Sequence, residues 1–80
     1  MATNGNGTTR QFKKRFGKRL QKARHERGIT QRQLAEQLQI ATVTVSHYET
    51  GRALPSFLTL RELSILLQKP ADYLLCRRGR

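Results

Sequence analysis

Cysteine is almost missing from this chain. Cys76 is the single one, so no intrachain disulfide can form and no cysteine-rich zinc finger can be built. Histidine is scarce as well: His25 and His47 are the only two, which leaves no metal-ligating set, and no metal or other cofactor is expected. Aromatic residues are few and form no platform for stacked bases, so RNA is the least favoured nucleic acid. No apolar run approaches the length of a membrane span, and no signal peptide is expected before the domain. A cytoplasmic, nucleoid-associated setting is the expectation. The sequence also lacks a nucleophile with a base at recognisable spacing and a glycine loop for phosphate, which argues against an enzyme. No small-molecule site is evident.

Acidic residues are the other shortage, five against 16 Lys and Arg, for a formal charge of +11. Such a chain is drawn to polyanions: DNA, RNA or an anionic membrane surface. The charge is concentrated early. Arg10, Lys13, Lys14, Arg15, Lys18, Arg19, Lys22, Arg24 and Arg27 face only Glu26 in the first third of the chain. Solubility does not require so large an excess, and an electrostatic footprint for phosphate accounts for it better. Eighty residues leave room for one compact domain.

Along the chain, residues 1–9 carry no apolar periodicity and read as a disordered arm. From about Arg10, Phe12, Phe16, Leu20 and Ala23 recur at helical spacing, and Gly28 suits a left-handed stop. That basic amphipathic helix has the composition of a membrane-surface helix, but its apolar stripe is needed to close a core. Thr30 with Gln33 is a capping box opening a short helix with Leu34, Ala35 and Leu38. After a break at Gln39, Ile40 and Ala41, a second short helix runs from about Thr42 to Thr50 with Val45 and Tyr48 inward. Thr59 with Glu62 reads as another capping box, and Leu60, Leu63, Ser64 and Leu67 make the buried stripe of a fourth helix. Pro70 suits the first turn of a fifth, carrying Tyr73, Leu74 and Leu75. The expectation is an all-α, five-helix bundle over residues 10–76 with a basic tail at 77–80.

Residues 31–48 carry the most information. Two helices joined by a three-residue turn cross steeply, and only certain positions meet at the crossing. Leu34, Leu38, Ile40, Val45 and Tyr48 occupy them, and Ala35 is small enough for close approach. This is the spacing of a DNA-binding helix-turn-helix.

Here the sequence resembles the phage repressor and Cro-type helix-turn-helix family. The likeness spans roughly residues 12–76 and extends past the bare motif. It includes Gly-Ile-Thr-Gln-Arg-Gln-Leu-Ala at 28–35, Ser-His-Tyr-Glu-Thr-Gly-Arg-Ala-Leu-Pro-Ser at 46–56, and Leu-Leu-Gln-Lys-Pro-Ala-Asp-Tyr-Leu-Leu at 66–75. The resemblance implies that the second motif helix enters the major groove of double-stranded DNA. Thr42, Val43, Thr44, Ser46 and His47 are its outward positions and candidate base readers. An outward valine gains little in water, whereas its methyls can pack on a thymine methyl. Gln31, aided by its helix dipole, and Arg52 are the expected phosphate contacts, supported by the resemblance. Lys18 and the 10–15 cluster, Arg10 included, join them on charge alone. The resemblance also sets Arg24 beside Glu49 as an ion pair that orients the reading helix.

Three positions depart from the family pattern. Gln39 replaces the usual glycine of the turn, where a left-handed backbone costs on the order of 1 kcal/mol. Ala41 replaces a hydroxyl cap, which shifts the expected cap to Thr42. Lys69 lacks a capping oxygen before the fifth helix. Two readings compete with a transcriptional repressor that binds an inverted repeat as a homodimer: an antitoxin whose main partner is a toxin protein, and a non-specific packaging protein. Leu74 and Leu75 are equally candidates for the dimer contact and for the core.

Overall fold

The computed structural model describes residues 5–76 and places five helices in them: α1 Gly5–Glu26, α2 Gln31–Leu38, α3 Thr42–Thr50, α4 Phe57–Leu67 and α5 Ala71–Leu74. No strand occurs among the described residues. The all-α, five-helix bundle is thus the fold, with α2 and α3 as the helix-turn-helix.

The helix ends follow from local chemistry. Gly28 closes α1 with φ +70 and its N–H on the His25 carbonyl at 2.9 Å, a backbone state glycine adopts without steric cost. Thr30 and Gln33 form the reciprocal capping box, with bonds of 3.0 and 2.9 Å. Gln39 caps α2 in the left-handed region at φ 60, so the turn does place a non-glycine there.

Several boundaries differ from the sequence-based expectation. α1 begins at Gly5, so residues 5–9 lengthen the helix, because adding a turn to an existing helix avoids the cost of nucleation. Residues 1–4 and the basic tail at 77–80 lie outside the described residues. Ala41 is the N-cap of α3 without any side-chain bond, and Thr42 is the first helical residue. Ser56, not Thr59, caps α4, its hydroxyl accepting the Thr59 N–H at 3.1 Å. Serine at that position reaches an orphan amide at the third helical residue, which leaves Thr59 inside the first turn. Pro70 stands at the N-cap of α5 instead of within it.

The core draws on every helix. Phe16, Leu20 and Ala23 of α1 meet Leu34 and Ala35, Val45 and Tyr48, Leu63 and Leu67, and Leu74. Leu74 is fully buried, so it belongs to the core and is unavailable as a surface contact. Leu75 is half-buried in a small crevice with Phe12, Leu54, Pro55 and Leu60. Burial pushes the Tyr48 phenol above its ordinary pKa, keeping it neutral.

Candidate nucleic-acid interface

α3 has one face in the core and one in solvent. Val45, Tyr48 and Glu49 are buried, and at 100° per residue this turns Val43, Ser46, His47 and Thr50 outward. Val43 is the centre of that face and is 57% exposed. Ser46 and His47 flank it half-buried, Thr42 is exposed at the helix start, and Thr44 lies half-buried on the edge toward the core. The Thr50 hydroxyl turns back to the Ser46 carbonyl at 3.0 Å, so this outward side chain is occupied locally.

A buried polar network holds α3 in place. Arg24 on α1 donates from Nε to Glu49 Oε2 at 2.6 Å and from Nη2 to Oε1 at 3.1 Å, a two-pronged charged contact with both residues under 10% exposed. Its Nη1 donates to the Ile29 carbonyl at 2.9 Å. Gln31 Nε2 donates to Glu49 Oε1, also at 2.9 Å. One carboxylate therefore joins α1, the start of α2 and the end of α3. No buried side-chain polar atom among the described residues is left without a partner.

Gly17 lets the helices come this close. A Cβ there would sit 2.3 Å from the Glu49 carbonyl oxygen and 2.7 Å from that of Tyr48. Sequence reasoning passed over this residue, although a glycine inside a helical pattern is a signal of close backbone approach.

The cations separate into two groups. Arg10 and Lys13 line a cleft with Gly51, and Lys14 packs against Gly51 on the same side. Arg52, exposed, follows directly, so Arg10 and Arg52 share the C-terminal end of α3. Lys18 stands elsewhere. With Arg15, Arg19 and Lys22 it lines a groove of about 460 Å³ beside Tyr73 and Cys76. Arg19 fixes that wall, donating to the Tyr73 carbonyl at 2.9 Å with its guanidinium 4.8 Å from the ring centre. None of these four cations pairs with a carboxylate among the described residues. Their spacing of three, four and seven residues along α1 was the available sequence signal.

Among the described residues no three acidic, His or Cys side chains are grouped to hold a metal ion, and no helix is long and apolar enough to cross a membrane. The arrangement is an exposed, rigidly mounted helix with cations at its far end. A helix-turn-helix family model matches residues 20–74, most of the chain, taking in α2, α3, the Arg24–Glu49–Gln31 network and Arg52 but not the cations of α1 before Leu20.

The chain belongs to the repressor and Cro-type helix-turn-helix family. Over 60 residues, 75% of its length, it is 44% identical to the HTH-type transcriptional regulator ImmR of Bacillus subtilis, covering 47% of that protein. It is 40% identical to the SPbeta prophage-derived HTH-type transcriptional regulator YonR of the same organism, covering 56%. The HTH-type transcriptional activator BcrR of Enterococcus faecalis is 35% identical, with 29% covered. The chain spans about half the length, or less, of these curated relatives.

Proposed function

We propose that this helix-turn-helix chain binds double-stranded DNA sequence-specifically and regulates transcription, acting as a repressor by occupying its operator. One observation carries the reading: Val43 projects into solvent from a helix locked by the Arg24–Glu49–Gln31 network. An exposed valine contributes little to stability, whereas its methyls are suited to packing on a thymine methyl in the major groove. The names of ImmR and YonR as transcriptional regulators support the class.

In this reading Thr42, Val43, Ser46 and His47 face base edges, with Thr44 at the margin. Gln31 retains a second amide N–H beyond the one held by Glu49, and presents it with the α2 N-terminus to a phosphate. Arg52 and Arg10 meet the backbone just beyond the C-terminal end of α3, beside Gly51. Lys18 contributes through the groove on the α5 side of α1, where its charge adds to the long-range attraction. Two copies on a two-fold axis read an inverted repeat with half-sites about 34 Å apart.

Selection from a random DNA pool tests this. The expected product is an inverted repeat, and Val43→Ala should relax the choice at one thymine in each half. A pool that returns no enriched sequence would reduce the protein to non-specific packaging.

A further inference from the structure

Most apolar side chains of this protein are inside, yet three large ones project from α4: Phe57, 78% exposed, Leu58, 70%, and Ile65, 56%. They share a single face. Leu58, Arg61, Glu62 and Ile65 fall at intervals of three, four and seven residues, which at 3.6 residues per turn forms one continuous stripe with Phe57 at its edge. Large apolar side chains left exposed together on one helix face, here flanking a charged pair, point to an interaction surface.

We propose that this α4 face is where a second copy of the chain pairs, antiparallel, across a two-fold axis passing between Arg61 and Glu62. The proposal rests on the two-copy DNA reading above and assigns its protein contact. The argument for a second copy is the order of the stripe. It reads apolar, Arg, Glu, apolar, and its midpoint lies between the two charges. An antiparallel partner centred on that midpoint sets Leu58 against Ile65 and, in the same register, Arg61 against Glu62, each twice. One register thus satisfies the apolar and the ionic pairing together, as an isologous contact must. Arg61 and Glu62 already stand 3.8 Å apart within one chain, both more than half exposed, so both are placed to exchange partners.

Charge points the same way. With a formal +11 on each chain, most approaches between copies are repulsive. The α4 stripe carries one charge of each sign and is locally neutral. An eleven-residue helix offers a strip only about 16 Å long, small against a standard interface of about 1,600 Å². Pairing is therefore weak in free solution and completes on DNA, where phosphates offset the repulsion and adjacent half-sites raise the effective concentration.

The experiment compares binding to an inverted repeat and to an isolated half-site, both taken from the selected sequence, using the full chain. Wild type should bind the repeat cooperatively, two copies per duplex. Leu58→Asp, an exposed change, should retain half-site affinity and lose the cooperativity. Arg61→Glu and Glu62→Arg should each weaken the cooperativity, and the double variant carrying both should restore it. Restoration is specific to the reciprocal register; a merely sticky patch does not produce it. Unaltered cooperativity in Leu58→Asp, or a double variant as weak as the singles, overturns the assignment while the DNA reading stands. One wild-type copy per site on an asymmetric sequence removes the two-copy reading itself.

Discussion

Glu49 does more for this molecule than any other acidic residue. Its carboxylate accepts from Arg24 twice and from Gln31 once, deep in the junction of three helices. Replacing it with alanine leaves the Arg24 guanidinium buried and uncompensated, so Glu49→Ala should cost about 3–5 kcal/mol in denaturant unfolding. An unchanged midpoint would mean the guanidinium finds water as good a partner. Gln39 is a contrasting case, a residue whose backbone is at odds with its side chain. At φ 60 it occupies a region that disfavours a Cβ, and Gln39→Gly should raise stability by up to about 1 kcal/mol. Gln68 ends α4 in the same way at φ 56, and the equivalent change there should act in the same direction. A clear loss at either site would show that glycine's extra freedom in the unfolded chain outweighs the strain relieved.

Among the helices, the crossing of α1 with α3 decides how the exposed face is presented. Gly17 sits at that crossing against the backbone carbonyls of Tyr48 and Glu49. Intrinsic propensity favours alanine over glycine in a helix by about 1 kcal/mol, so Gly17→Ala would be stabilising if α1 stood alone. Here the added methyl has no room, and the two helices must move apart. The expected result is a net loss of about 1–3 kcal/mol by thermal or denaturant unfolding, with weaker specific DNA binding because α3 is displaced. A rise in the midpoint would show that the helices are not in such close contact. The same comparison separates the two glycines with positive φ: Gly28 is needed for its conformation alone, Gly51 both for conformation and for the nearby Lys14.

Over the whole molecule, the imbalance of charge sets the terms of binding. Affinity for DNA should fall steeply with salt, each neutralised phosphate contributing about 0.9 to the log–log slope. Arg52→Ala should lower that slope by about one and weaken all sequences alike. Altered sequence preference at constant slope would move Arg52 from the backbone to a base. Lys18→Ala provides the internal contrast, because its groove lies on the α5 side of α1, away from the Gly51 end of α3. A smaller change in slope than for Arg52 is expected there. An equal change would place the groove in direct contact with phosphate.

The helix count, the capping box at Thr30, the left-handed turn at Gln39 and most of the core were legible in the sequence. Each is governed by local preference or by a 3.6-residue period, and both act within a few positions of the chain. The start of α4 differs from expectation because Ser56 and Thr59 are both competent caps, and only the path of the loop chooses Ser56. Leu74 and Leu75 were indistinguishable as sequence. Packing against α1 buried the first and left the second at a crevice. Which cations gather near Arg52 and which line the Tyr73 groove depends on how α1 is rotated against α3 and α5, a property of the packed helices and not of α1 alone. The inner face of α4, with Leu63 and Leu67, follows the helical period of the sequence, but the exposure of Phe57, Leu58 and Ile65 on the opposite side is set by the packing, which supplies no neighbouring helix to cover them.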